Sequence, residues 1–234
     1  MPYAALDLDG TLYPGTAGLA LLSALAKGGH CPAGDAASLF AFLDQLAADQ
    51  LNTVDKATRA CQLYARAVAA TDPRVVEQLS HTIWQSERRT LFSFTRPLVD
   101  ALHRAGHTTI LISGSPHEIV RAAADDLGIT HCQGAVFRDG HVIRAPGIPG
   151  VKESILPADA EVSFAFGNSA SDSDLLARAV HPIAFEPLPL LRKAAEVNGW
   201  TVVDRTTLLP TVMDLIRDGE ELRTAASSAL THSR

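Results

Sequence analysis

The segment Asp7-Leu8-Asp9-Gly10-Thr11 sets two carboxylates two residues apart, directly after an apolar run at residues 3–8. Carboxylates beside a core are costly unless they are paired, hydrogen-bonded or balanced by a cation. Such a pair can also do chemistry: one carboxylate can attack phosphorus and form an aspartyl-phosphate, while the second protonates the leaving oxygen. Gly10 leaves room for a phosphate to approach the backbone. Alone, the pair reads as a turn at the end of a strand. Three further segments accompany it. Ile112-Ser113-Gly114-Ser115-Pro116 ends an apolar run and enters a helical pattern, so the Ser113 hydroxyl and the helix's free N–H groups could hold a phosphate oxygen. Lys152 follows the Gly/Pro-rich stretch Pro146-Gly147-Ile148-Pro149-Gly150 and, taken singly, reads as a solvated lysine. Gly167-Asn168-Ser169-Ala170-Ser171-Asp172 offers oxygen ligands of the kind magnesium takes. Four polar signals at four strand ends are a stronger indication than any one of them.

The elements that must position these residues are visible as alternating patterns. Apolar runs at 3–8, 108–113, 162–166, 180–185 and 200–203 read as strands, and the stretches 96–104, 118–127, 173–179 and 188–198 between them read as helices. This alternation predicts an α/β fold, a parallel sheet with helices on both faces, in which ligands sit beyond the carboxyl ends of the strands. Residues 16–90 break the pattern. There Leu39, Phe42, Leu43 and Leu46, then Cys61, Tyr64 and Val68, then Val76, Leu79 and Ile83 recur at helical spacing, which reads as the core of a small bundle. The joints are Pro32-Ala33-Gly34-Asp35, Asn52-Thr53 and Thr71-Asp72-Pro73, with Asp35, Thr53 and Asp72 as candidate helix caps. Arg138-Asp139-Gly140-His141 is a two-residue hairpin signal, taken as purely structural. The expected division is an α/β core at 1–15 and 91–205, a helical cap at 16–90, and a tail at 206–234 with a helix at 210–217 followed by a fraying Ser/Thr/Ala-rich end.

The 234 residues are 47% hydrophobic and 20% charged, which suits a globular chain and excludes a disordered or fibrous one. The net charge of −6 argues against nucleic-acid or anionic-membrane partners, although a local basic pocket stays compatible with it. Cys31, Cys61 and Cys132 are odd in number and scattered, which excludes a disulfide scaffold or a zinc ribbon and fits a reducing compartment. With no basic leader before Asp7 and no long apolar run, a cytoplasmic monomer or homodimer is expected.

The ordered set of motifs resembles the haloacid dehalogenase-like (HAD) hydrolase superfamily, and within it the phosphoserine phosphatase-like subfamily with a helical cap. The resemblance runs from residue 3 to about 203. The first family motif, Asp-x-Asp-Gly-Thr, matches Asp7 to Thr11, and the second matches Ser113 within Ser113-Gly114-Ser115-Pro116-His117-Glu118. The third matches Lys152, and the fourth, Gly-Asp-Ser-x-x-Asp, matches Gly167 to Asp172 with Asn168 in place of its Asp. The resemblance implies a Rossmann-like core in which Asp7 is the nucleophile and Asp9 the general acid and base. It implies magnesium at Asp7, Asp9, Asn168 and Asp172, with the Asp9 main-chain carbonyl as the donor and Asp172 acting by orienting bound water or Lys152. It further implies a phosphate cradle of Gly10, Thr11, Ser113, Gly114 and Lys152. The Asn168 amide oxygen can coordinate magnesium, but the site carries one negative charge fewer.

Phosphoserine phosphatases carry a Glu seven residues after the second Asp of the first motif, where this chain has Thr16. Candidate substitutes in the cap are Asp35, Asp44, Asp49 and Asp55, and its cations are Lys56, Arg59, Arg66, Arg88 and Arg89, of which Lys56 and Arg59 are expected in the pocket. The expected function is a magnesium-dependent phosphatase acting on a small polar phosphomonoester. Two alternatives are a phosphotransferase using the same intermediate, and a catalytically weakened domain that binds without turnover.

Overall fold

The computed structural model describes residues 1–46 and 53–231, with side chains through residue 221. Asn52 and Asp49 lie outside the described residues. Seven strands form one sheet: β1 (Tyr3–Leu6), β2 (Thr108–Pro116), β3 (His131–Arg138), β4 (His141–Arg144), β5 (Val162–Gly167), β6 (His181–Phe185) and β7 (Thr201–Val203). Their order is β4-β3-β2-β1-β5-β6-β7. Every pairing is parallel except the β3–β4 hairpin. The turn of that hairpin places Asp139 and Gly140 at positive φ, as a two-residue turn of this hand requires.

The helices are α1 (Ala17–Lys27), α2 (Ala33–Asp44), α3 (Val54–Val68), α4 (Pro73–Glu87), α5 (Thr95–Arg104), α6 (His117–Leu127), α7 (Ser173–Ala177), α8 (Pro189–Asn198) and α9 (Leu208–Thr231). Successive strand residues point to opposite faces, and the two cores sort accordingly. Ala4, Leu6 and Leu111 join Phe164, Phe166 and Phe185 on the face covered by α5, α6 and α9. Ala5, Ile110, Ile112 and Ala165 join Leu175 and Leu191 on the face covered by α7 and α8. The sheet therefore carries helices on both faces, as the alternation predicts. Each fully buried Leu or Phe contributes about 1.5–3 kcal/mol of transfer free energy to this sandwich.

α1 to α4 all fall in the stretch read as a helical insert. Their buried side chains run on into those of the sheet: Leu21, Leu25 and Trp84 lie in the same buried cluster as Phe166. α1 packs on α4 and α4 on α6, while α2 pairs with α3 and α3 reaches β4. The chain leaves and rejoins the sheet at one point, where the Leu12 carbonyl accepts from Phe92 N at 3.2 Å and Thr95 Oγ1 at 2.7 Å. Asp126 on α6 ties the returning segment down by accepting from Trp84 Nε1, Arg88 and Arg96.

Asp72 caps α4 by accepting from Arg74 N at 2.8 Å, and Thr53 stands at the N-cap position of α3. Asp35 does not cap α2. Pro32 occupies that position and Asp35 lies in the first turn, where its charge suits the helix dipole. The tail also departs from expectation. α9 starts at Leu208 and runs to Thr231: the stretch after Pro210 has no second proline to interrupt it, and the strong helix formers Leu, Ala, Glu and Arg recur along it. No helix among the described residues is long and apolar enough to cross a membrane.

Candidate active site

β1 is the middle strand, with β2 on one side and β5 on the other, so the crevice at its carboxyl end is the point where the winding of the sheet reverses. Leu6 is in register with Leu111 and with Phe166, and Asp7 N extends the ladder to Phe166 O at 3.1 Å. This register brings the segments after β1, β2 and β5 together. After Asp9 the chain turns tightly: Leu12 N and Tyr13 N both donate to Leu8 O at 3.0 Å, and Gly10 N donates to Tyr13 O at 2.7 Å. Gly10 has φ +79°, and a Cβ there would lie 2.1 Å from Asn168 Nδ2. Glycine is required on both counts, and its absent side chain leaves the Asn168 amide room against the loop.

Asp7 is 4% exposed. Thr11 Oγ1 donates to its Oδ2 at 2.8 Å and Lys152 Nζ to its Oδ1 at 2.6 Å. Lys152 opens a short 3-10 turn, Lys152–Ile155, and its ammonium is also bonded to Asp172 Oδ1. The other oxygen of Asp172 accepts from Asn168 N at 3.0 Å, Ser169 N at 2.9 Å and Ser169 Oγ at 3.2 Å. Asp9 is held from two sides. Its Oδ1 accepts from Ala17 N at 2.8 Å, and its Oδ2 from Ser113 Oγ at 2.8 Å and Ser115 Oγ at 2.6 Å. Ser115 Oγ accepts in turn from Gly18 N at 2.7 Å. Asp9 and Ser115 together thus satisfy two of the free N–H groups at the start of α1, and the helix dipole favours the charge on Asp9.

Burial pushes the Asp7 carboxyl up; Lys152 opposes that shift, while Asp172 and Asp9 add to it. Burial also pushes Asp9 up, against the hydrogen bonds from Ser115, Ala17 and Ser113 and the charge of Lys152. For Lys152 burial works downward, but Asp172 and Asp7 outweigh it and hold the ammonium well above the ordinary lysine value. Burial outweighs the Lys152 contact at Asp7, and the neighbouring Asp172 and Asp9 charges add to it, so the carboxyl stays raised. The charged forms of the cluster sum to a net −2, a charge that a divalent cation would balance.

A cavity of about 420 Å³ opens over these groups. Asp7, Asp9, Gly10, Gly114, Lys152 and Asn168 line it, whereas Thr11, Ser113 and Asp172 do not. Thr11 and Ser113 face the carboxylates of Asp7 and Asp9, and Gly10 N–H is taken by Tyr13, so in this arrangement these three groups shape the loop after β1. The cap cations Lys56 and Arg59, expected in the pocket, are off its wall, as are Asp35, Asp44 and Asp55. The physical reason is helical phase: Ala57, Ala60, Cys61 and Tyr64 turn one face of α3 to the cavity, leaving Arg59 exposed and Lys56 at the side. Arg66 pairs with Asp35 and Arg88 with Asp126. Three contributors were missed. Ser115 was legible as the second serine of the Ser113-Gly114-Ser115 segment. The stripe containing Cys61 and Tyr64 was visible but read as bundle core. Phe137 sits in the hairpin read as merely structural, and it stacks on Tyr64 with ring centroids 5.0 Å apart.

Among the described residues no group of three or more His, Cys, Asp or Glu side chains is arranged to hold a metal ion. Asn168 is one reason, since it stands where a third carboxylate would. Asp172 is another, because both of its oxygens are committed to Lys152 and to the 168–169 backbone. Asp7 is engaged as well, by Thr11 and Lys152, but it lines the cavity as Asp172 does not; its carboxylate, the Asp9 main-chain carbonyl and the Asn168 amide oxygen are all hard oxygens. They suit magnesium in kind, and the net negative charge around them suits it in charge.

Residues 4–177 match the family model for haloacid dehalogenase-like hydrolase. No curated protein matches the sequence. Among solved structures, a protein of unknown function from Bordetella pertussis Tohama I is similar with 23% identity and TM-score 0.66, covering 87% of this chain and 98% of that one. A phospho-aspartyl intermediate analogue of phosphoserine phosphatase aligns with 16% identity and TM-score 0.58 over 88% of this chain and 94% of its own. Cytosolic 5'-nucleotidase IIIB bound to cytidine aligns with 15% identity and TM-score 0.60 over 95% and 87%. At these identities the structures speak for the fold, and the family match spans about three quarters of the sequence, including every motif from Asp7 to Asp172. The chain belongs to the haloacid dehalogenase-like hydrolase family.

Proposed function

We propose that the protein is a magnesium-dependent phosphatase that hydrolyses a phosphomonoester through an aspartyl-phosphate on Asp7. The observation that carries this reading is the restraint on Asp7: both carboxylate oxygens are oriented, by Thr11 at 2.8 Å and Lys152 at 2.6 Å, at the floor of a cavity where Asp9 stands beside it on a separate set of donors. Fixing a nucleophile in this way converts binding into productive geometry. The fold shared with phosphoserine phosphatase and 5'-nucleotidase structures supports a phosphomonoester as substrate.

In the first step an Asp7 oxygen attacks phosphorus, the ester P–O bond breaks, and Asp9 gives its proton to the departing alcohol oxygen. The upward shift of Asp9 suits a proton donor. In the second step the Asp9 carboxylate takes a proton from water, the water oxygen attacks phosphorus, and the bond to Asp7 breaks to release phosphate. Lys152 and the Gly114 backbone stand at the cavity wall to meet the phosphoryl oxygens. Asp7, the Asp9 carbonyl and Asn168 would hold magnesium, which would supply positive charge against those oxygens.

The test is turnover of p-nitrophenyl phosphate with magnesium by the wild type and by Asp7→Asn. The expected result is phosphate release without any acceptor alcohol, loss of that release in the variant, and an acid-stable, hydroxylamine-labile phosphoryl label on the wild type. A folded wild type without turnover at saturating magnesium overturns the reading. Asn168 favours a second reading, a domain that binds phosphomonoesters with little turnover, and its replacement by Asp separates the two.

A further inference from the structure

Above the carboxylates the cavity wall is hydrocarbon. Leu39 and Leu43 of α2, Ala60, Cys61 and Tyr64 of α3, and Phe137 of β3 supply it. The Tyr64 hydroxyl is occupied, donating to Gly18 O at 3.1 Å, so Tyr64 offers its ring, and that ring stacks on Phe137. The Cys61 thiol is pushed up to about 11 by burial and stays neutral.

Among the described residues the charged side chains on the wall are Asp7, Asp9 and Lys152, and all three lie at the floor, engaged in the bonds described above. The hydroxyls nearby are also committed. Ser115 bonds Asp9, and Ser169 and Ser171 share a hydrogen bond at 2.9 Å beside Asp172. Thr16, at the position where phosphoserine phosphatases carry a Glu, is exposed on the rim.

An ammonium, carboxylate or sugar hydroxyl placed against the α2–α3 wall would give up water and gain no partner among the described residues, which is costly. A methylene placed there gains by leaving water. The volume, about 420 Å³, is in the range of small-molecule sites and exceeds the needs of a phosphoryl group.

We infer that the leaving alcohol of the substrate is apolar: the cavity takes a phosphomonoester of an alkyl or aryl alcohol whose hydrocarbon lies between α2, α3 and Phe137. This replaces the small polar alcohol expected from sequence, and it rests on the phosphatase reading.

The discriminating probes are n-alkyl phosphates from ethyl to hexyl. Their leaving groups are chemically alike, so differences in kcat/KM report the pocket and not the chemistry; aryl esters, with better leaving groups, would confuse the two. Phosphoserine, phosphoethanolamine, a hexose phosphate and a nucleoside monophosphate are the polar comparators. The matching n-alkylphosphonates, which cannot be hydrolysed, are titrated by calorimetry.

The expected result is a rise of about fourfold in kcat/KM per methylene until the cavity is full, the same trend in phosphonate affinity, and hexyl phosphate ahead of every polar comparator by roughly a hundredfold. Ala60→Trp should shorten the optimal chain. Leu43→Asn, at a half-buried position that tolerates change better, should flatten the slope. Turnover that is flat along the series, or that favours a polar comparator, overturns the inference and leaves the phosphatase reading standing. Length-dependent phosphonate binding without turnover of any ester supports the apolar pocket and overturns the phosphatase reading. Flat binding without turnover overturns both.

Discussion

Lys152 Nζ lies 2.6 Å from Asp7 Oδ1 with its other side against Asp172, so a single buried ammonium connects the proposed nucleophile to the loop after β5. At 1% exposure Lys152 has no solvent to fall back on. Removing one member of such a cluster leaves uncompensated buried charge, which costs about 3–5 kcal/mol. Lys152→Met, nearly isosteric, should therefore lose both turnover and stability on that scale. Adding Asp172→Asn to it removes part of the stranded charge. The double variant should regain some stability in urea titrations while turnover stays absent. A double variant less stable than Lys152→Met alone would show that the cluster is not held together as described.

Ser115 is the positioning partner of Asp9. Its hydroxyl donates to Asp9 Oδ2 at 2.6 Å and accepts from Gly18 N at 2.7 Å, so it fixes the acid and α1 together. With Asp9 as the proposed general acid, Ser115→Ala should lower kcat by roughly tenfold or more and leave KM nearly unchanged. The pH profile of kcat should shift with it, because a donor to the charged form of Asp9 is gone. A change confined to KM would place Ser115 on the substrate instead.

Asp7, Ser113 and Asn168 were legible because parallel strands put their carboxyl ends on one side; Lys152, in a 3-10 turn that follows no parallel strand, was legible through the family motif. Their bonding partners were not legible. Nothing in the spacing says that Ser113 and Ser115 serve Asp9, that Thr11 serves Asp7, or that Asp172 is consumed by Lys152 and the 168–169 backbone, because those bonds depend on the register between β1, β2 and β5. The pocket wall was missed for a related reason. The stripe of α3 shows which residues share a face, but burial against a bundle core and burial against a cavity leave the same pattern. Choosing Lys56 and Arg59 by charge ignored the phase that Ala57, Ala60 and Tyr64 define.

Ser80 on α4 is fully buried, and its hydroxyl is the buried side-chain oxygen without a hydrogen-bond partner among the described residues. An unsatisfied buried hydroxyl costs about 1–3 kcal/mol. Ser80→Ala keeps the Cβ and removes the oxygen, so it should raise stability by about 1 kcal/mol, or roughly 2–4 °C in Tm, without altering turnover. A drop in Tm would show that the hydroxyl has a partner.

Asp204 precedes α9 and accepts from Thr206 N at 2.8 Å, Thr207 N at 2.9 Å and both threonine hydroxyls. These bonds, the Thr206 hydroxyl first, hold its carboxyl down to about 2 against an ordinary 3.8. A depressed carboxylate contributes stability that is fully present above the unfolded value and disappears as the pH falls through the folded one. The Tm difference between wild type and Asp204→Ala should therefore be constant from neutral pH down to about 4 and close as the pH approaches 2. A difference that persists at the acid end would assign the effect to packing and not to the charge.

Asn168 brings an amide where the family pattern has a carboxylate, and it packs against Gly10, where a side chain would displace it. Asn168→Asp adds a negative charge to a cluster that already exceeds its cation, so the variant without magnesium should be less stable than the wild type. With magnesium the order should reverse, since more ligand charge raises affinity for a hard cation. Two readouts follow. The magnesium concentration for half-maximal rate should fall by at least about tenfold, and the rise in Tm on adding magnesium should be larger in the variant than in the wild type, a measure that does not depend on turnover. If the rate gain at saturating magnesium is also large, the native chain is a binder that has given up most of its turnover. If only the magnesium requirement changes, the native chain is a working phosphatase tuned to weaker metal binding. A variant with an unchanged Tm response to magnesium would remove position 168 from the metal site.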